Sequence, residues 1–170
     1  MRRATLVLGA ATFLFATAAA AQEKPNFSGK WQLDQEKTQA ANPNAQPPRG
    51  GGGGGGGGGG RGGGFGGGGM GGPFTLTLDA ETLTRESEGQ NGAMKLVYKL
   101  DGSEQTLSMG QAQITAKAKW EGTTIVIEST RQGQNGPVTT KSVYSVEGDH
   151  LVIEQTSPRG TTKRYYKKAT

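Results

Sequence analysis

"AQITAKAKW", residues 112–120, alternates without a break. Ala112, Ile114, Ala116, Ala118 and Trp120 share one parity; Gln113, Thr115, Lys117 and Lys119 share the other. A strand sends successive side chains to opposite sides, so this pattern marks an antiparallel strand with one face buried and one in water. Glu121-Gly122 then supplies a turn, and "TTIVIESTR" (123–131) returns with Ile125 and Ile127 together.

The same rhythm extends in both directions. Upstream, "FTLTLD" (74–79) sets Phe74, Leu76 and Leu78 on one face, "TLTRESE" (82–88) follows, and "AMKLVYKL" (93–100) aligns Met94, Leu96, Tyr98 and Leu100. Asp101-Gly102 reads as a two-residue hairpin turn into "EQTLSM" (104–109), because both residue types tolerate positive φ. Downstream come "PVTTKSVYSV" (137–146), "HLVIEQT" (150–156) and "TTKRYYKK" (161–168), separated by turn signals. This makes nine strands from Phe74 to Lys168, and no segment after Pro25 shows a helical period. Consecutive hairpins give an up-and-down meander, and closing it into a barrel hides the apolar face and removes the edges. A membrane barrel would need an apolar outer face. The outer parity here carries Lys95, Lys99, Lys117, Lys119, Glu128 and Lys141 instead.

Upstream of the meander, residues 49–72 hold 20 glycines in 24 positions, interrupted by Arg49, Arg61, Phe65 and Met70. Glycine loses the most entropy on ordering and buries no side chain, so residues 35–73 are expected to form a disordered Pro/Gly-rich loop. Two Arg-Gly-Gly steps are too few for an RNA-binding tail, and no G-K-[ST] follows to bind phosphate. Before the loop, "NFSGKWQLD" (26–34) contains Phe27, Trp31 and Leu33. A lone strand is unstable, so this segment is expected to join the sheet as a tenth strand, with the glycine tract as the connection.

The chain opens with Arg2-Arg3, an apolar run and Ala19-Ala20-Ala21. Residues 1–21 therefore read as a secretory signal peptide, leaving 22–170 as one exported domain, periplasmic or extracellular. With no cysteine there is no disulfide and no thiolate site. The formal net charge of +5 includes the leader arginines and gives no argument for nucleic acid.

The two ends of the mature chain resemble the calycin group, the lipocalins and intracellular fatty-acid-binding proteins. "FSGKW" is similar to their opening G-x-W motif at Gly29 and Trp31, and "KRYYKK" to an R-x-Y ending at Arg164 and Tyr166. The resemblance implies a ten-strand barrel with Gly29 and Trp31 at its closure. In lipocalins a late arginine stacks on the motif tryptophan, so Arg164 has two roles open to it: stacking on Trp31, or binding a ligand. Fatty-acid-binding proteins carry a helix-turn-helix after the first strand, where this chain has its glycine tract. They also carry a second arginine on a late inner strand, where "VTTKSVYSV" offers only Lys141, of outward parity.

Arg85 shares the parity of Leu83, Tyr98 that of Leu96, and Arg164 that of Tyr166. Arg164, Tyr166, Arg85 and Tyr98 are thus the candidate ligand-binding residues. Arginine and tyrosine among apolar groups suit an amphipathic ligand, its carboxylate held by charge-assisted bonds. Ser87, Ser129, Thr140, Ser142 and Gln155 share the inward parity. The inner alanines fit either space for a ligand or a tight barrel filled by Trp120 and Tyr98. Catalysis has little footing: the single histidine, His150, is expected as an exposed residue at a turn edge, and no cofactor or metal is expected. The expected function is non-catalytic binding of a small lipid-like molecule. The alternative is a structural or interaction protein of the cell envelope with a packed barrel, meeting its partner through the Gly-rich loop.

Overall fold

The computed structural model describes residues 23–43, 72–89, 92–109 and 112–169. The expected leader (1–21) and most of the Pro/Gly-rich loop lie outside the described residues. Ten antiparallel strands form one sheet: β1 (Gly29–Leu33), β2 (Phe74–Leu78), β3 (Thr82–Gly89), β4 (Gly92–Lys99), β5 (Asp101–Met109), β6 (Ala112–Glu121), β7 (Thr124–Gly133), β8 (Gly136–Glu147), β9 (His150–Ser157) and β10 (Gly160–Lys168). The order β4-β3-β2-β1-β10-β9-β8-β7-β6-β5 is a meander whose first and last strands meet. Trp31 lies opposite Lys168 on one side and Phe74 on the other, so the N-terminal strand joins the sheet as expected.

Alternation becomes layering once the sheet curls. Leu76, Leu83, Ile125, Leu151 and Ile153 on the inner parity are all at most 1% exposed. On the outer parity a transverse rank runs Glu104, Lys117, Glu128, Lys141 across β5 to β8, alternating in sign. Exposed pairs such as Lys95–Glu86 (2.9 Å) add little stability each but keep the wall wet.

Two expectations need correction. Residues Gln35–Ala41 form a helix, α1, rather than the start of a disordered loop. Asp34 caps it by accepting from the Lys37 N–H at 3.0 Å, and Glu36 sits in the first turn, where a negative charge suits the helix dipole. α1 buries none of its residues. It is held by polar mimicry of a strand. Thr38 Oγ1 accepts from the Tyr165 N–H (3.0 Å), and the Asn42 carboxamide accepts from Lys163 N–H (3.1 Å) and donates to its carbonyl (2.6 Å). These bonds satisfy the β10 backbone where β1 has left the sheet.

The second correction concerns closure. Asp101-Gly102 does not join a laddered hairpin, because β4 and β5 are the two ends of the strand order. Gly102, at φ +78°, helps turn a corner, and Asp101 pairs across to Lys119 before a bulge at Asp101/Glu104. The seam between β4 and β5 is bridged by a side chain. The Gln105 carboxamide donates to the Val97 carbonyl (3.2 Å) and accepts from the Lys99 N–H (2.9 Å). The barrel is therefore nearly closed rather than fully laddered.

Candidate functional site

The interior has a dry end and a wet end. At the dry end, Phe27 is fully buried, 5.7 Å from Trp120 between ring centroids, and its carbonyl accepts from the Trp31 indole N–H (2.9 Å). Gly29 has φ +140°, a conformation that favours glycine, and a Cβ there would collide with the Lys168 side chain. With that space open, Lys168 donates to the Ser28 carbonyl (2.6 Å) and lies 4.6 Å from the Trp31 ring centroid. The cation stacked on Trp31 is thus Lys168, while Arg164 donates to Gln155 Oε1 (3.0 Å).

Above this floor lies a cluster of arginine and tyrosine. Arg85 is 3% exposed, its guanidinium 4.3 Å from the Phe74 ring centroid. Phe74 meets Tyr166 edge-on at 4.9 Å. Tyr98 and Tyr144 are both buried. Burial pushes the Tyr166 hydroxyl up to about 12, with Arg85 and Arg164 pulling the other way. Burial raises Tyr98 further still, its neighbour Tyr144 adding to the rise and Arg85 opposing it. Both phenols stay protonated and can donate hydrogen bonds across the physiological range. Arg85, Tyr98 and Tyr166 therefore come together, and Arg164 reaches the same neighbourhood from β10. Tyr144, from β8, joins the cluster without being among the four candidate residues.

Inward exposure rises away from the floor. On β7, Ile125 and Ile127 are buried, while Ser129 and Arg131 are half-buried. On β8, Tyr144 and Ser142 are buried and Thr140 half-buried; on β9, Ile153 is buried and Gln155 half-buried. This end, at the Gly133–Gly136 and Ser157–Gly160 turns, is the mouth. Every Asp and Glu in the described strands falls on the outward parity or at a turn, whereas Arg85, Arg131 and Arg164 fall on the inward one. Lys141 faces outward opposite Glu128. The inward places of that strand go to Ser142 and Tyr144 instead.

His150 is not the exposed residue expected. Its side chain is 14% exposed, outside the barrel wall and against α1. Nδ1 faces Asp149 at 2.5 Å and Nε2 faces Asp34 at 3.4 Å. Lys37 stands 3.4 Å from Nδ1 and stacks on Tyr165 (4.9 Å). The backbone N–H of Lys37, with His150 assisting, holds the Asp34 carboxyl below its usual range. No described group of three His, Asp or Glu side chains is arranged to hold a metal ion. Two depressions open on the outside, one of about 110 Å³ on the outer wall at Thr115, Glu128 and Thr139, one of about 460 Å³ at Glu81, Lys99 and Asp101. Neither reaches the arginine–tyrosine cluster.

No protein-family model and no curated protein sequence matches the chain. Solved structures do. Secretory abundant heat soluble protein 4 from Ramazzottius varieornatus is similar over 88% of this chain and 99% of its own, with a TM-score of 0.56 and 18% identity. A variant of the fluorescent protein UnaG is similar over 85% of this chain and 96% of its own, with a TM-score of 0.53 and 16% identity. Lipid binding protein 8 of Caenorhabditis elegans covers 57% of this chain and 70% of its own, with a TM-score of 0.49 and 13% identity.

Proposed function

Since the chain folds as a calycin-type barrel, we propose that it binds a small amphipathic molecule bearing an anionic group, and does no chemistry on it. One observation carries this reading: the sign of the inner wall. Inward positions of the described strands hold arginines, tyrosines, hydroxyls and apolar side chains, and no carboxylate. A cationic, partly dry lining favours an anion, since charge-assisted bonds strengthen as water is excluded. Arg164 is the group best placed to meet a ligand. It is half-buried toward the mouth, and the bond to Gln155 uses one of its five N–H donors. Tyr166, Tyr98 and Arg85 lie deeper and would order the ligand below it.

The non-catalytic part is supported by the position of His150. It sits outside the wall between Asp34 and Asp149, where it ties α1 to the β8–β9 turn. Export is proposed from the leader pattern at residues 1–21 alone.

The test is uptake of carboxylate amphiphiles by the purified chain. Wild type takes up cis-parinaric acid or cholate, and native mass spectrometry of material from the source cell shows a retained small molecule. Arg164→Ala weakens carboxylate uptake by about tenfold or more, the value of one charge-assisted bond, while the melting curve stays cooperative. If wild type takes up neither probe and retains nothing, the reading fails. If Arg164→Ala also unfolds, the arginine is structural.

A further inference from the structure

The hairpin ends at the floor and at the mouth differ in one chemical respect. Those at the floor carry Asp79, Glu81, Asp101, Glu121 and Asp149. The described turns at the mouth, 133–136 and 157–160, hold no carboxylate, and Arg159 and the inward Arg131 add positive charge there. Amides stand where acids could: Gln132, Gln134 and Asn135 follow one another along the β7–β8 hairpin. Asn135 is also followed by Gly136. In that dipeptide the main-chain nitrogen of the second residue can attack the side-chain carboxamide carbon of the first. A Cβ on the second residue would stand in its path, and glycine has none. Asn135 is exposed at the tip of the turn. Gly136 has φ +106°, with nothing within 4 Å of where its Cβ would stand. Gly133 and Gly136 form the last pair of the β7–β8 ladder, and an end pair with glycine on both strands frays most readily, freeing the Gly136 nitrogen. The other described asparagines are placed differently. Asn26 precedes the fully buried Phe27, and its side-chain oxygen accepts from the Ser28 N–H at 2.8 Å. Asn42 precedes Pro43, which has no N–H, and its carboxamide is engaged by Lys163.

We propose that Asn135 is a site of spontaneous modification that places a carboxylate on the mouth. The Gly136 nitrogen bonds to Asn135 Cγ, and the side-chain nitrogen leaves as ammonia, taking the Gly136 N–H proton with it. This closes a five-membered succinimide ring. Water then opens either ring carbonyl, giving aspartate, or isoaspartate in which the main chain runs through the side-chain carbon. One water is consumed, one ammonia is released, and no oxidant, metal or enzyme is needed. The new carboxyl group ionises at neutral pH. It stands on a turn that had none, close to Arg131, whose Nη1 lies 4.0 Å from where a Gly133 Cβ would be. Isoaspartate also lengthens the main chain by one carbon, which a two-residue turn accommodates only by giving up the Gly133–Gly136 pair. Negative charge at the mouth opposes the approach of an anion, so uptake falls as the chain ages. That consequence rests on the binding reading above; the reaction itself does not.

The test ages the full chain in neutral to mildly alkaline buffer, then digests it with trypsin and weighs the peptides. The peptide from Gln132 to Lys141 is expected to gain one mass unit and to separate into two forms, aspartate and isoaspartate. Asn26 and Asn42 are expected to stay unchanged. Asn135→Ser, which keeps a small polar residue in the turn, abolishes the gain. An unchanged 132–141 peptide, or conversion of Asn26 or Asn42 at the same rate, overturns the proposal. Asn135→Asp makes one product directly. At low salt it is expected to weaken cis-parinarate uptake by about twofold to fivefold, the value of one exposed charge, and high salt should erase the difference. Equal uptake by Asn135→Asp and fresh wild type at low salt overturns the charge effect at the mouth. No uptake by fresh wild type overturns the binding reading instead, and the mass of the 132–141 peptide still decides the modification.

Discussion

The floor and the mouth of this barrel are made from the same strands and differ in almost everything else. At the floor, Phe27, Trp31 and Trp120 interlock, Lys168 lies over Trp31, and Gly29 is required by the crowding. At the mouth the inward residues of β7 to β10 are mostly polar and half-buried. A closed apolar end supplies stability because buried area is what folding gains from. A polar end contributes little to stability and is free to carry recognition. The two polar clusters follow the same division: the inner one lies among the core side chains, while His150 and Asp34 outside serve α1.

The division predicts unequal responses to mutation. Phe27→Ala removes a fully buried ring from the floor and is expected to cost about 3–5 kcal/mol in denaturant unfolding. A loss below about 1 kcal/mol would break the distinction. Asn42→Ala removes the surrogate strand contacts to Lys163 and is expected to cost about 1–2 kcal/mol. Amide exchange sharpens that prediction: the Lys163 N–H should lose protection first, ahead of the β6–β7 ladder.

The pH response separates inside from outside. Tyr166 has its pKa raised from the ordinary 10 to about 12, and Tyr98 is raised as well. Their neutral forms are favoured by the fold, so this stabilisation is whole below about pH 10 and disappears as pH climbs through the folded values. Ultraviolet titration should show part of the tyrosine signal ionising late, together with unfolding; all four tyrosines titrating freely near the ordinary value contradicts the buried cluster. Outside the wall, Asp34 is lowered chiefly by the Lys37 N–H, and Glu147 chiefly by Lys163. Their contribution is present above the ordinary carboxylate range near 4 and fades as pH falls below it, so α1 should loosen at acid pH before the barrel melts. The smallest effect is expected at the mouth. Thr162→Val should change stability by no more than about 0.5 kcal/mol, a result that a larger loss in thermal melting would contradict.

Much of this architecture is legible in alternation alone. A period of two assigns each strand an inner face, and it put Arg85, Tyr98, Arg164 and Tyr166 on the inside before any neighbour was known. It does not say which strands pair, so Asp101-Gly102 reads as a hairpin although β4 and β5 end the strand order and the Gln105 side chain bridges their seam. It is also blind to α1. "QEKTQAA" has no apolar stripe, because the helix docks through Thr38 and Asn42 rather than through a buried face. The readable signal was the cap, Asp34 followed by Glu36 in the first turn. Lys168 over Trp31 had no signal in parity, since a strand-end lysine can swing to either side. Its trace was Gly29, whose missing side chain leaves the lane it occupies.

Asn42 and Thr38 have one more consequence. By impersonating the peptide groups of a departing strand, they let the polypeptide leave the wall after Leu33 without exposing a raw edge on β10. The pairing of these β10 groups asks for nothing beyond Asn42: two side chains close what a longer first strand would otherwise have had to cover.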